Sequence, residues 1–269
     1  MSISLSRFAA LTSSLLLAAT AALFGAGQAS AAQADFGYVA LGDSYSSGLG
    51  AGNYDGASGN CKRTTRAYPA LWAAAHSPQT FAFTACSGAR TGDVLSGQLG
   101  PLNSGTDLVS ITIGGNDAGF SDVMTTCVLQ SESTCVNRVN QAKAYVDSTL
   151  PAQLDQVYNA IDSRAPAARV VVLGYPRFYK LNGTCTTGLT EGERAAINGA
   201  ADHLNAAIAK RAANHGFTFA SVAGSFTGHE ICSGSPWLHS VNWLNIAESY
   251  HPTAAGQSGG YLPVLTNAA

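Results

Sequence analysis

Apolar runs and helical periods alternate along this chain from residue 36 onward. Runs rich in β-branched and aromatic residues predict strands near residues 36–41, 81–85, 108–113, 168–174 and 217–222. Between them, apolar residues recur at spacings of three and four, which predicts helices near 65–75, 135–164 and 190–215, and a last helix from about 253. We expect the helix over 135–164 to bend at Pro151. Alternating strands and helices favour a parallel sheet covered on both faces, so the pattern predicts an α/β fold, a three-layer α/β/α sandwich with about five parallel strands.

Residues 1–33 have the pattern of a secretory signal peptide. Arg7 precedes an almost wholly apolar run from Phe8 to Phe24, and two small-residue triplets that fit the cleavage rule follow at 29–31 and 32–34. A membrane anchor is the alternative, but the run is short and is followed by small residues instead of basic ones. We therefore expect a secreted protein whose mature part, residues 34–269, is a single domain.

Composition and charge narrow the class of protein further. The chain is 46% hydrophobic and 11% charged, with a formal net charge of −2. A nucleic-acid-binding protein would carry a basic patch, so we expect no nucleic-acid partner. The sequence has no heptad pattern, which argues against a coiled coil, and no constellation typical of a metal site. We expect a monomer without a metal or another cofactor.

The six cysteines of an exported chain indicate disulfides, because the compartment is oxidising. None of them forms Cys-x-x-Cys, which argues against a zinc ribbon or a redox pair. Pairing in sequence order would clip loops at one end of the sheet. It predicts the disulfides Cys61–Cys86, Cys127–Cys135 and Cys185–Cys232.

Distinctive residues follow the first three predicted strands. Ser44 follows the first in Gly-Asp-Ser, Gly88 follows the second, and Asn116 follows the third in Gly-Gly-Asn-Asp. Each motif alone is most often only a turn. In a parallel sheet, however, all three strands end at the same edge, where α/β proteins bind ligands. The sequence therefore predicts a functional site at this edge.

A serine at such a site needs a base to take its proton, and histidine is the usual base. We rank His251 first, because the loop before the last helix returns to this edge, and His239 a distant second. The histidines at 76, 203 and 215 lie within or at the ends of predicted helices. Acyl transfer also needs donors for the developing oxyanion, and the N–H groups of Ser44 and Gly88 and the amide of Asn116 are the candidates.

Four blocks of the sequence together carry a family resemblance. Gly-Asp-Ser-Tyr-Ser at 42–46, Gly88, Gly-Gly-Asn-Asp at 114–117 and His251-Pro252 resemble the GDSL, or SGNH, hydrolases in order and spacing over essentially all of the mature chain. The resemblance implies a flavodoxin-like α/β/α fold. It also implies Ser44 as nucleophile, His251 as general base and then acid, and an oxyanion hole of Ser44, Gly88 and Asn116.

The sequence offers two groups that would orient His251. The family usually has aspartate three residues before the histidine, and this chain has Glu248 there. The extra methylene would displace the carboxylate, a shift that catalytic geometry penalises. We therefore expect the main-chain carbonyl of Ser249 to orient His251, with Glu248 as the alternative.

The chain most resembles secreted actinobacterial lipases, esterases and phospholipases A1. This implies a secreted enzyme that cleaves carboxylic esters of lipids through an acyl-enzyme on Ser44 and makes transient contact with lipid surfaces. Phospholipid, triacylglycerol and soluble esters all stay open as the preferred substrate.

Two other functions compete with this one. Residues 256–260 match G-x-S-x-G and, with His76, resemble a trypsin-like protease that would use Ser258. The α/β pattern and Gln257, where such proteases have aspartate, argue against it. A non-catalytic carbohydrate-binding module is the other alternative, with a stacking platform made of Trp72, Trp237 and Trp243.

Overall fold

A five-stranded parallel sheet forms the centre of the computed structural model, which describes residues 36–269. The strands are β1 Gly37–Gly42, β2 Thr80–Phe83, β3 Leu108–Thr112, β4 Arg169–Leu173 and β5 Thr218–Ala220. Their order across the sheet is β2-β1-β3-β4-β5, and every neighbouring pair is parallel. The predicted signal peptide, residues 1–33, lies outside the described residues.

Eight α-helices accompany the strands in the described part of the chain. They are α1 Ser44–Ser47, α2 Tyr68–His76, α3 Thr91–Gly97, α4 Phe120–Leu129, α5 Glu132–Ser148, α6 Leu150–Arg164, α7 Glu191–Asn214 and α8 Leu262–Ala268. Short 3₁₀ turns span Gly56–Cys61 and Ile246–Glu248, and a π-helical segment, Gly256–Tyr261, leads into α8.

The helices pack in two groups around the sheet. Helix α2 packs against α8, and its Trp72 ring meets the Tyr38 ring of β1 edge-on. Helices α3, α5, α6 and α7 form the second group. The predicted three-layer α/β/α sandwich is confirmed.

The apolar strand runs are buried because helices cover them. Strands β1 and β3 are buried along their whole length, and so are the last four residues of β4. Many polar side chains inside this core are hydrogen-bonded; the hydroxyls of Tyr38 and Ser110, for example, lie 2.6 Å apart. An unpaired polar group at such a depth would destabilise the fold.

The prediction of one bent helix over 135–164 is wrong, because this region forms two separate helices. Helix α5 ends at Ser148, and α6 begins at Leu150 with Pro151 in its first turn. Proline lacks the N–H that a continuous helix would use, but is tolerated in a first turn, where that N–H has no partner in the helix. Helix α7 begins with a capping box, in which the N–H of Glu193 donates to Thr190 Oγ1 at 3.1 Å.

Three helices, α1, α3 and α4, were not predicted at all, and α1 is a single turn. Helix α3 is short, and α4 starts from Gly119 with φ +81° and contains β-branched residues of modest helix propensity. Both lack the long apolar period that identified α5, α6 and α7.

The three disulfides join Cys61 to Cys86, Cys127 to Cys135, and Cys185 to Cys232, the pairing predicted from sequence order. Cys127 lies in α4 and Cys135 in α5, so this bridge ties two helices that follow β3. Within residues 36–269, none of the helices combines the length and the apolar character that crossing a bilayer requires.

Candidate active site

Ser44 is placed by a sharp turn between β1 and α1. Gly42 ends the strand with φ +121°, and a Cβ there would lie 2.4 Å from the Thr112 carbonyl oxygen, so only glycine fits. Asp43 then caps α1 by accepting the Tyr45 N–H at 3.0 Å. Ser44 is the first residue of that short helix and is only 5% exposed.

The side chain of Gln98 holds this turn in place from α3's end. Its Oε1 accepts the Gly42 N–H at 2.7 Å, and its Nε2 donates to the Gly42 carbonyl at 2.9 Å. The buried Gln98 amide therefore fixes both the N–H and the carbonyl of Gly42, two residues before Ser44.

His251 lies directly against Ser44, 207 residues away in sequence. Its Nε2 is 2.7 Å from Ser44 Oγ, and its Nδ1 is 3.0 Å from the Ser249 carbonyl oxygen. A carbonyl can only accept, so Nδ1 carries the proton and Nε2 presents its lone pair to the serine hydroxyl. Burial lowers the pKa of His251 to about 4, although the Ser249 bond opposes this. The imidazole is therefore neutral at pH 7, as a general base must be.

Glu248 points to a different partner. Its Oε1 accepts from the Tyr54 hydroxyl at 2.6 Å, and that hydroxyl accepts the Gly50 N–H at 2.9 Å. The Gly50 carbonyl in turn accepts from His239 Nε2 at 2.8 Å. Of the two predicted orienting groups, the Ser249 carbonyl contacts His251.

The Gly50 loop lies in close contact with His251, and this hydrogen-bond network fixes the loop. A Cβ on Gly50 would lie 3.0 Å from the Cβ of His251 and 2.7 Å from the Pro252 carbonyl oxygen, and Gly50 has φ +93°. Glycine is therefore required at this close approach. Glu248 and His239 act on the Gly50 loop, one through Tyr54 and one directly.

Asn116 and Gly88 lie on the loops after β3 and β2, and one hydrogen bond joins these loops. Asn116 Nδ2 donates to the Ala89 carbonyl at 3.0 Å. An amide nitrogen has two N–H groups, so this bond leaves a second donor. The Gly88 loop is also tied to β1, since the Cys86 N–H donates to the Gly42 carbonyl at 2.9 Å. Gly88 has φ +81° and an exposed backbone.

A buried polar network that the sequence analysis missed supports the Asn116 loop. Tyr175 donates to Asp43 Oδ2 at 2.5 Å and accepts the Gly115 N–H at 3.1 Å. Thr112 Oγ1 donates to the other carboxylate oxygen at 2.6 Å. Burial raises the pKa of Asp43 to about 6, although these hydrogen bonds oppose it. Tyr175 directly follows β4 and Gly174, so the strand-end signal that found Asn116 could also have found it.

An apolar cavity of about 70 Å³ opens beside Ser44. Polar residues of its wall also include Asn116, Asp43, Tyr175 and Lys143, and the cavity runs between α4, α5 and α7. The apolar lining comes mainly from Phe120, Met124, Ala142, Val146, Ala201 and Leu204. A linear hydrocarbon chain suits such a lining.

The groups of the two alternative functions are not brought together. Ser258 is exposed and its hydroxyl donates to the Ala255 carbonyl at 3.4 Å, whereas the His76 ring stacks on Trp72. Trp72 is buried, Trp237 is half-buried against His229, and Trp243 is 72% exposed. Within residues 36–269, the structure shows neither a Ser258–His76 hydrogen bond nor a shared tryptophan platform.

Comparison with known proteins places this constellation in a family. The profile of the GDSL-like lipase/acylhydrolase family matches residues 40–258. The chain belongs to this family. It is therefore an ester hydrolase, as the sequence analysis predicted.

Curated relatives of this GDSL hydrolase are similar over nearly their full length. Lipase 1 of Streptomyces coelicolor is 72% identical over 265 residues, which cover 98% of both chains. A lipase of Streptomyces rimosus is 68% identical over 267 residues, covering 98% of this chain and 99% of the relative.

Solved structures agree with the fold of this GDSL hydrolase. Phospholipase A1 from Streptomyces albidoflavus NA297 superposes with a TM-score of 0.85 at 72% identity, covering 87% of this chain and 99% of that chain. The extracellular lipase of Streptomyces rimosus superposes with a TM-score of 0.85 at 71% identity, covering 87% of this chain and all of that chain.

No group of three or more His, Cys, Asp or Glu side chains could hold a metal ion among residues 36–269.

We predict that Glu248 acts through Tyr54 and not as the carboxylate partner of His251. Glu248→Gln keeps an oxygen that accepts from Tyr54 and should leave kcat/KM within about threefold of the parent. Glu248→Ala removes the hydrogen bond from Tyr54, and Tyr54→Phe removes that bond together with the one from the Gly50 N–H. Each substitution should cost about tenfold or less. The double variant should lose no more than the worse single variant, because both remove the same contact.

Steady-state kinetics on a soluble nitrophenyl ester measure these values. A loss on the order of 10³–10⁴ for Glu248→Gln, with Tyr54→Phe unaffected, would instead make Glu248 the orienting carboxylate.

The pH profile of the reaction should reflect the buried histidine. His251 must be neutral to accept a proton, and its pKa is lowered to about 4. As pH falls, kcat/KM on a soluble ester should therefore stay high through pH 6 and decline only near pH 4. Circular dichroism at each pH shows that the fold persists. An acid limb centred near the usual histidine value of 6.5, in folded protein, would contradict the geometry.

Proposed function

We propose that this protein is a secreted serine hydrolase that cleaves carboxylic esters of lipids through an acyl-enzyme on Ser44. The observation that carries the proposal is the 2.7 Å contact between Ser44 Oγ and His251 Nε2, next to an apolar cavity. A nucleophile, its base and an apolar compartment at one sheet edge are the parts that hydrolysis of a lipid ester needs.

The first half of the reaction forms the acyl-enzyme. His251 Nε2 takes the proton of Ser44 as Oγ attacks the ester carbonyl carbon. The oxygen of the tetrahedral intermediate then receives hydrogen bonds from the N–H groups of Ser44 and Gly88 and from the amide of Asn116. The intermediate collapses when the imidazolium gives its proton to the departing alcohol oxygen.

The second half regenerates the enzyme. Water loses a proton to His251 as it attacks the acyl carbon, and the fatty acid leaves when Ser44 Oγ regains that proton. The Ser249 carbonyl accepts from Nδ1 throughout, so it keeps Nε2 aimed at the serine and stabilises the imidazolium that forms. The pair works as a dyad with a carbonyl in the place of a third side chain.

The cavity beside Ser44 is the acyl site in this proposal. Each CH₂ group transferred from water into an apolar compartment contributes about 0.8 kcal/mol, so a fatty acyl chain gains binding energy there. The similar proteins described as lipases and as a phospholipase A1 support lipid esters as the substrate class. Phospholipids, triacylglycerols and soluble esters all contain the acyl carbonyl that this site would bind, so each fits the proposal.

Several observations support action outside the cell. The similar Streptomyces rimosus enzyme is described as extracellular, and residues 1–33 have the pattern of a signal peptide. Three disulfides suit an oxidising compartment. We expect a monomer that has no nucleic-acid partner and contacts lipid surfaces transiently.

Replacement of the nucleophile should abolish hydrolysis. Ser44→Ala removes the attacking oxygen and should lower kcat on nitrophenyl esters by at least about 10³-fold. His251→Ala should cost a similar factor, and the double variant little more, because the two residues act as a unit. Ser258→Ala is the matched control and should behave as the parent. Retained hydrolysis by Ser44→Ala, or its loss in Ser258→Ala, would refute the proposal.

Narrowing the acyl site should select against long chains. Ala201→Leu adds three carbons to the cavity wall and should lower kcat/KM for nitrophenyl palmitate at least about tenfold more than for nitrophenyl acetate. Ala206→Leu is the control, because Ala206 lies on α7 but is exposed. Equal effects of Ala201→Leu on both esters would place the acyl chain elsewhere.

A further inference from the structure

Large apolar side chains are unusually exposed at one place on this molecule. Six large hydrophobic residues are exposed within residues 36–269, and four of them belong to α4 or to the loop before His251. These four, here called the apolar rim, are Leu129, Trp243, Leu244 and Ile246, with exposures of 62%, 72%, 101% and 62%. Single exposed apolar residues are ordinary, but a group of this kind marks an interaction surface.

The apolar rim borders a groove that leads to the catalytic histidine. The groove has a volume of about 390 Å³ and runs between α4 and the 3₁₀ turn Ile246–Glu248. Leu129, Trp243 and Ile246 line it, and His251 lies at its inner end. Phe120 and Met124 line both this groove and the acyl cavity, so they form the boundary between the two.

Hydrogen bonds order the turn that carries Trp243, Leu244 and Ile246 of the rim. Asn242 Oδ1 accepts the N–H groups of Leu244 and Asn245 at 3.2 and 3.1 Å. The Asn242 N–H donates to Ser249 Oγ at 2.8 Å, which anchors the turn to the residue whose carbonyl orients His251. The turn is therefore ordered without burying its own apolar side chains, and Leu244 is left fully in water.

The two chain segments that carry the rim contain no charged residue. Residues 231–247 contain no Asp, Glu, Lys or Arg, and neither do residues 123–131. Attraction to an anionic membrane comes from clustered Lys and Arg, which are missing from both segments. Charged residues would also resist removal from water. The chemistry of this face suits an electrically neutral or zwitterionic apolar–water interface.

We infer that the apolar rim is the surface by which this enzyme docks on zwitterionic lipid, with the mouth of the groove facing the lipid and His251 at its inner end. The inference rests on the proposed function, because it explains how a lipid ester would leave its aggregate and reach Ser44. Trp243 suits this position, since tryptophan favours the boundary between apolar and aqueous phases.

The first test uses Trp243 as a reporter in the Ser44→Ala protein, which leaves the lipid intact. Of the three tryptophans, only Trp243 is exposed, so its emission should shift to the blue when phosphatidylcholine vesicles are added, and brominated phosphatidylcholine should quench it. Trp243→Phe in the same background should remove both responses. Unchanged emission, or a response that survives Trp243→Phe, would overturn the inference.

The second test measures vesicle binding by flotation. Leu244→Gln should weaken partitioning to phosphatidylcholine vesicles roughly tenfold, because a fully exposed leucine loses its transfer into lipid. Leu181→Gln is the matched control, since Leu181 is 42% exposed and lies outside the rim and the groove. Equal effects of the two substitutions, binding only to phosphatidylglycerol vesicles, or lipid-free dimerisation that Leu244→Gln abolishes would each overturn it.

These tests separate the docking surface from the catalytic proposal. Loss of vesicle binding in Leu244→Gln, together with no Ser44-dependent hydrolysis by the parent, would keep the surface and reject the catalytic roles. Ser44-dependent hydrolysis of phosphatidylcholine without any change in Trp243 emission would keep the catalytic roles and reject the surface.

Discussion

The hydrogen bond between Ser44 and His251 is the interaction on which the site depends, and distant parts of the chain must agree to form it. Ser44 follows β1, an interior strand of the sheet, while His251 belongs to a loop near the C-terminus. The imidazole of His251 lies 2.7 Å from the Ser44 hydroxyl in a buried position. This burial lowers the pKa of His251 and keeps the imidazole neutral. The same burial makes any charged state of the pair costly unless fixed dipoles stabilise it, and the Ser249 carbonyl is such a dipole.

Backbone constraints at two glycines make this contact possible. Gly42 allows β1 to turn into α1 beneath the Thr112 carbonyl, and Gly50 allows a second loop to pass against the Cβ of His251. Gln98 and Tyr54 then fix the backbone groups of these two glycines. Tyr175 does the equivalent for Gly115, next to Asn116. The candidate catalytic side chains are thus positioned by three polar side chains, of which Gln98 and Tyr175 are buried and Tyr54 is half-buried.

The sequence was sufficient to predict the fold because β3 and β4 are short runs rich in apolar, β-branched residues. The Val-Val-Val-Leu run of β4 and the β-branched β3 are buried on both faces, so their composition alone identified them. The division between α5 and α6 was missed because a proline inside an apolar period is compatible with a bend or with a new helix. Helix α4 escaped notice because its cap is a glycine at positive φ, which no residue pattern specifies.

The candidate site was predictable to the extent that it lies at strand ends. Ser44 and Asn116 were found in this way, whereas Gln98 and Tyr54 act from a helix end and a loop whose approach to the site depends on the tertiary fold. The partner of Glu248 was likewise beyond the sequence, since Tyr54 is 194 residues away. Long-range pairing of loops leaves no local periodicity from which to predict it.

If the site is one functional unit, a reacting acyl group meets Ser44, the oxyanion donors and the apolar cavity at once. A crystal structure of the protein treated with a long-chain alkyl phosphonate tests this most directly. We predict phosphorus bonded to Ser44 Oγ, one phosphoryl oxygen within hydrogen-bonding distance of the Gly88 N–H and Asn116 Nδ2, and the alkyl chain between α5 and α7. An adduct on another serine, or a phosphoryl oxygen directed away from both donors, would contradict the account.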